Sequence, residues 1–266
     1  YLIMYKCRDI EWHERFFIEV ANNMKDPSNY HLDRLNFIDI VINTEESVNV
    51  NDIENSFFIT PLLDYEEFFN FAKQVLPAII ISSFNYSRDP NDANVISDML
   101  NAAGHSMVRK IFKITKHDKL IAFAVCEVYS DGYLINNSLD LCRILYCSDI
   151  KDHSKLLDGI MNELSLFYAS HQKTRFRILW ENQKVNVNKI IVRDSKYKGT
   201  LLRLIVTKRG LNYLHQAAYF SEGKFTKYYH LSYPQQSIIS RDYLTPGSSI
   251  NVISCTIHYK EKINFI

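Results

Sequence analysis

Glycine is scarce in this chain. There are seven in 266 residues, none before Gly104, and the two nearest each other, Gly199 and Gly210, stand eleven apart. That spacing excludes G-x-x-x-x-G-K-S/T and G-x-G-x-x-G, and with them P-loop hydrolysis and Rossmann-type dinucleotide binding. Cysteine is sparse, odd in number and scattered (Cys7, Cys126, Cys142, Cys147, Cys255). The pattern reads as reduced core thiols in a cytoplasmic protein rather than a disulfide framework. Cys142 and Cys147 match no zinc spacing, the nine histidines form no H-E-x-x-H, and no G-x-S-x-G selects a nucleophilic serine, so no metal site and no hydrolase triad is expected. Charge of one sign is also lacking. Lys plus Arg total 31 against 30 acidic residues, a net charge of +1, which gives no electrostatic reason to expect nucleic acid or an anionic membrane as partner. The longest apolar run, near Leu76–Ile81, is about six residues where a membrane span needs about twenty. The chain starts on Tyr1 with no charged-then-apolar leader and reads as a trimmed chain or a piece of something longer.

What is present is a substantial core: 47% of residues are hydrophobic and 13% aromatic. Residues 1–105 read as a mainly helical portion and 106–266 as a sheet-and-helix portion, the two forming separate units or one continuous domain. Asp9 is placed to cap a helix carrying Trp12, Phe16, Phe17, Val20 and Met24, stopped at Asp26-Pro27. Leu35–Ile42 reads as a strand, and the polar stretch 43–56 as a surface loop. Asp64 and Glu67 start a helix through Phe68, Phe69, Ala72, Val75 and Leu76, broken by Pro77. Asn91–Ala103 reads as a further helix ended by Gly104.

After Gly104 the pattern changes. Val108–Thr115, Leu120–Tyr129 and Leu139–Cys147 read as strands, the second apolar enough for burial on both faces. Leu156, Leu157, Ile160, Met161, Leu164, Phe167 and Tyr168 recur at helical spacing. Then come a strand at RFRILWE (175–181), a short helix-like segment at 188–199, and strands near 201–207, 211–220, 224–231 and 250–259. The basic, aromatic segment 208–229 reads as ordinary antiparallel alternation.

This order of elements, together with Asn188 and Gly199 eleven residues apart after the RFRILWE strand, resembles the N-acetyltransferase (GNAT) superfamily over roughly residues 60–220. Family members carry a small apolar residue, a Tyr and a Phe where this chain has Ile191, Ser195 and Thr200. Tyr197 lies two residues beyond the expected Tyr. The resemblance implies an α+β fold: a mixed, mostly antiparallel sheet flanked by helices, with an N-terminal helical portion packed onto it. It also implies acetyl-CoA or another acyl-CoA as cofactor, and attack on the thioester by an amine of a small molecule or protein.

In that account Leu139–Tyr146, through Ile144 and Tyr146, aligns the pantetheine arm. The 148–155 turn holds the pyrophosphate on backbone N–H groups and the helix dipole. Lys151, His153, Ser154 and Lys155 favour an anion there, and Asp149 and Asp152 oppose it. The family's loop is usually R/Q-x-x-G-x-G/A, whereas here Gly159 already falls inside the helix. A plainer reading is that Asp152 or Ser154 merely caps that helix. Glu127 is the candidate general base, since a buried carboxylate has a raised pKa; its alternative is a strand-end Glu facing solvent. Tyr197 is the candidate general acid. The implied function is an acyl-CoA-dependent N-acyltransferase-like protein. The missing glycines, Ser195 and the Tyr1 start lean toward the alternative, a catalytically inactive GNAT-like module for protein or ligand recognition within a larger regulatory or effector protein.

Overall fold

The computed structural model describes residues 2–6, 10–23, 26–42, 57–87, 106–130, 139–147, 150–192 and 194–210. Along the chain these form β1 (Leu2–Lys6), α1 (Ile10–Asn23), β2 (Tyr30–Val41), β3 (Phe58–Pro61), α2 (Tyr65–Val75), α3 (Ala78–Ser83), β4 (Met107–Lys116), β5 (Lys119–Tyr129), β6 (Asp140–Tyr146), α4 (His153–Ser170), β7 (Arg175–Trp180) and β8 (Ser195–Val206). The strands make one eight-stranded sheet in the order β1-β8-β2-β7-β6-β5-β4-β3. Every neighbouring pair is antiparallel except β6 and β7. The protein is α+β, with a mixed, mostly antiparallel sheet and helices on both faces.

Local chemistry explains the connections. His117 and Asp118, both at positive φ, close the two-residue turn between β4 and β5, as a hairpin matched to strand twist requires. β5 is buried on both faces from Ala122 to Val128. On one face Ala122, Ala124 and Cys126 pack with Ile144, Tyr146, Ile178, Trp180 and the apolar stripe of α4. On the other, Phe123 and Val125 pack with Phe68, Ala72, Ile80, Phe84 and Tyr86 of the α2–α3 region. The parallel pair needs a crossover connection, and α4 supplies it. Asp152 caps α4 by accepting from Lys155 N at 3.1 Å. The helix ends at Ser170, and Gln172, two residues on, is in the left-handed region at φ 60°.

Several details differ from the sequence expectation. The residues before 105 supply three strands as well as helices, and β2 begins five residues earlier than the expected Leu35. Pro77 ends α2 but opens α3 at once, because proline suits a helix N-terminus. Segment 188–199 is not a helix: Val187–Lys189 make a single 3-10 turn and β8 starts at Ser195. The 43–56 loop, the 91–103 helix and the strands expected after residue 210 lie outside the described residues.

Glycine positions reflect packing. A Cβ on Gly159 would lie 3.2 Å from Phe57 Cβ, so this residue lets α4 approach the segment leading into β3. Gly199 lies opposite Phe37 on β2, and a Cβ there would meet the Phe37 ring at 3.3 Å.

Candidate functional site

The carboxyl ends of a parallel strand pair are where a sheet of this kind has room for a ligand. Here that place is the end of β6 and β7 at the start of α4. β6 and β7 stay paired to the last residues, with Ile144 opposite Trp180 and Glu181 N donating to Ile144 O at 3.1 Å. One residue further, Asn182 takes over. Its Oδ1 accepts from Tyr146 N at 2.9 Å and its Nδ2 donates to Tyr146 O at 2.8 Å. The carboxamide thus bonds as a neighbouring strand's peptide unit would. On the other side of Tyr146, Trp180 Nε1 donates to Tyr146 Oη at 3.0 Å, and Oη shares a 2.8 Å hydrogen bond with His153 Nδ1. Tyr146 is buried, and burial raises its phenol pKa.

The turn residues are similarly engaged. Asp152 caps α4, Lys155 Nζ lies 3.9 Å from Asp152 Oδ2, and Ser154 Oγ accepts from Ile191 N at 2.9 Å. Lys151 is exposed, and Ser148 and Asp149 lie outside the described residues. Ile144 is wholly buried in the α4-side core. These residues do not fit an acyl-CoA. The backbone edge its arm would add to is occupied by Asn182, and a carboxylate already caps the helix start meant for its pyrophosphate.

His153 is pushed below its ordinary pKa by burial, opposed by Asp152. A folded state that prefers the neutral ring contributes stability above the unfolded value of 6.5, and that stability is lost as pH falls below it. The unfolding midpoint is therefore expected to drop between pH 7 and 5. His153→Gln is expected to flatten that part of the profile; an unchanged slope would mean the ring is not held neutral.

The Glu127 expectations are both revised. The side chain does not face solvent but is fully buried on the α2–α3 side of the sheet. Its pKa is not raised. Burial alone would raise it, but the charges and hydrogen bonds of Arg143 and Arg109 outweigh burial and hold it at about 2. Arg109 Nε donates to Oε1 at 2.8 Å, and Arg143 Nη1 and Tyr129 Oη donate to Oε2 at 2.5 and 3.0 Å. A carboxylate so engaged is a poor proton acceptor.

Glu127 belongs to a row of alternating charge across the sheet. Arg143 Nε lies 3.4 Å from Glu181 Oε1, and Arg203 Nη1 donates to both Glu181 oxygens at 2.9 and 2.7 Å. Arg203 also bonds Asp33 on β2, its direct cross-strand partner, through Nε at 3.0 Å and Nη2 at 2.6 Å. His31 Nε2 then lies 3.1 Å from Asp33. Phe84 roofs the row, its ring 4.0 Å from Arg143 Cζ and 5.7 Å from Arg203 Cζ. Arg109 Nη2 reaches the Phe84 carbonyl at 2.5 Å, a carbonyl preceding Asn85 at φ 53°.

Tyr197 is not brought to Glu127. They occupy one register row, Glu127–Leu141–Arg177–Asp39–Tyr197, four strand spacings apart, or about 19 Å. Tyr197 is 55% exposed and leans on Phe37 at 5.6 Å. Cys142 faces Cys126, at 3.7 Å between sulfurs, rather than Cys147. Burial pushes the Cys147 thiol up to about 12. Among the described residues, no group of three His, Cys, Asp or Glu could hold a metal ion, and no helix is long and apolar enough to cross a membrane.

Sequence reasoning missed Asn182, Glu181, Arg143 and Arg203. A signal existed for the arginines: LCRILY and LLRLIV each set one charge inside an apolar strand, as AVCEVY does with Glu127. Such charges are tolerated when paired. Nothing local marks Asn182.

Neither a protein-family profile nor a curated protein matches the chain. Among solved structures it is similar to a GCN5-related N-acetyltransferase from Kribbella flavida, at 12% identity and TM-score 0.31 over 67% of this chain and 60% of that one. It is also similar to a functionally unknown conserved protein from Staphylococcus epidermidis ATCC 12228, at 5% identity and TM-score 0.31 over 71% and 66% of the two chains. A GCN5-related N-acetyltransferase from Anabaena variabilis ATCC 29413 matches at 9% identity and TM-score 0.28, over 76% of this chain and 45% of that one. The match spans less than two thirds of each of those chains, and the α+β assignment rests on the sheet itself.

Proposed function

We propose that this chain is a catalytically inactive, GNAT-like module used for protein or ligand recognition within a larger regulatory or effector protein, and that it transfers no acyl group. The observation that carries this reading is the carboxamide of Asn182 on both backbone groups of Tyr146. It occupies the edge that an extended cofactor arm would need. The engaged state of Glu127 and its distance from Tyr197 support the same reading, because neither candidate can serve the other's substrate.

Acyl transfer to an amine has the element order in its favour. It requires the end of β6 to open and Asn182 to swing away, with Lys151, His153, Ser154 and Lys155 then free to receive phosphate.

Thermal denaturation with millimolar acetyl-CoA and longer acyl-CoAs separates the two. No change in Tm is expected. Saturation a hundredfold above Kd would add about 2.7 kcal/mol, or roughly 5–10 °C for a domain of this size. A rise of that order overturns the closed edge on which the reading rests, and release of free CoA thiol with an amine acceptor present would overturn the inactive module itself. If the rise occurs, Lys151→Glu with Lys155→Glu should abolish it, which would place the phosphate at the 148–155 turn.

A further inference from the structure

Cys126 and Cys142 lie on the face of the sheet opposite the charged row, in the apolar cluster that includes the buried side of α4. They are direct register partners across the antiparallel pair β5 and β6. Both are free thiols, both are closed to solvent, and their sulfurs are 3.7 Å apart. Facing residues on antiparallel strands have Cα atoms about 4.5 or 5.5 Å apart. A disulfide spans Cα separations of about 4.4–6.8 Å. The strands are thus already at bonding distance, and side-chain rotation with a slight drawing together of the two Cβ atoms completes the approach. Cys147 does not compete, because it packs on the other face, against the Phe68–Phe123 cluster.

We propose that Cys126 and Cys142 form a reversible disulfide, a covalent lock between β5 and β6 made by exchange with a low-molecular-weight disulfide. The surroundings select this product. The charged neighbours Glu127 and Arg143 pair with each other on the far face, so a thiolate or a bound cation between the two sulfurs would bring charge into an apolar place. The disulfide is neutral and adds no atoms. In the exchange, one cysteine thiolate attacks a sulfur of the small disulfide, forming a mixed disulfide and expelling a small thiolate. The second cysteine thiolate attacks the protein sulfur of that mixed disulfide, forming the Cys126–Cys142 bond and expelling the second small thiolate. The two protons of the cysteines end on the two small thiols. The protein pair is oxidised by two electrons and the small disulfide is reduced by two. Neither sulfur is exposed, so exchange runs through local opening of the β5–β6 pair and is slow in the closed fold. The lock does not depend on whether the chain binds acyl-CoA.

The test equilibrates the full chain with equimolar oxidised and reduced glutathione in urea below its unfolding midpoint. The protein is then returned to buffer, alkylated with iodoacetamide and digested. Mass spectrometry is expected to find the Cys126 peptide joined to the Cys142 peptide. The bond joins residues 16 apart in sequence, and Tm should exceed that of dithiothreitol-treated protein by roughly 5–10 °C. Cys147→Ala should keep that difference and Cys142→Ala should remove it. Both cysteines recovered alkylated, Cys142 joined to any other cysteine, an oxidised Tm equal to or below the reduced one, or a difference that survives Cys142→Ala each overturns the proposal. Should Cys142→Ala not fold, the joined peptide from the wild-type chain decides, and its absence overturns the lock.

Discussion

Glu127→Ala is expected to destabilise the protein by about 3–5 kcal/mol, because it leaves Arg109 buried without its counter-charge and Arg143 with only the 3.4 Å contact to Glu181. Arg109 and Arg143 both converge on this carboxylate, and their side chains are only 5% and 2% exposed. Neither is open to bulk solvent. Urea unfolding should show a large fall in midpoint with an unchanged slope. Glu127→Gln keeps the volume and one acceptor but loses the charge, and should fall between wild type and alanine. A loss below 1 kcal/mol for Glu127→Ala would mean the arginines re-pair elsewhere. The same carboxylate sets an acid limit. Its folded pKa is about 2 against an ordinary 4.5, so its contribution is complete above 4.5 and is lost as pH falls toward 2, on the order of 3 kcal/mol in all. The row as a whole is not thereby an argument for net stability, since a well-packed apolar replacement of every member can be neutral or better.

Phe84→Ala is expected to cost about 3–5 kcal/mol through loss of a buried ring and the cavity left behind. Phe84 belongs to the cluster with Phe68, Ala72, Ile80 and Phe123, and its face lies on the Arg143 guanidinium. Phe84→Leu separates the two contributions. It restores most of the volume but not the ring quadrupole, so its remaining deficit reads the cation–π share, about 0.5–2 kcal/mol. A leucine variant as unstable as alanine would assign the effect to ring geometry rather than volume.

These two predictions depend on residues whose places were partly legible in the sequence. The apolar stripe from Leu156 to Tyr168, the continuous run Leu120–Tyr129 and the cap at Asp64 each follow from local periodicity and turn chemistry, and each element formed where that chemistry put it. Glu127 was visible as a charge in an apolar strand, but its state was not. Burial alone predicts a raised pKa; two arginines, one from the next strand and one from the far side of the hairpin, reverse the sign. Such a reversal depends on cross-strand register, which composition does not report.

Tertiary structure alone decided three further points. Asn182 closes the end of β6 because β7 runs parallel to β6 and extends just far enough to place that carboxamide on Tyr146. Tyr197 is separated from Glu127 because β2, from the N-terminal portion, inserts between β7 and β8. Gly199, whose spacing from Asn188 carried part of the family resemblance, makes room for the Phe37 ring. The sequence by itself determined the long α4 helix, the apolar strand β5 and the start of α2, that no glycine-rich phosphate loop exists, and that a large apolar core forms, because those properties are local or additive. Which strands become neighbours, and therefore which charges meet and which edge stays closed, was decided only when the chain folded, because pairing between strands distant in sequence leaves no local mark, from the 16 residues between Glu127 and Arg143 to the 170 between Asp33 and Arg203.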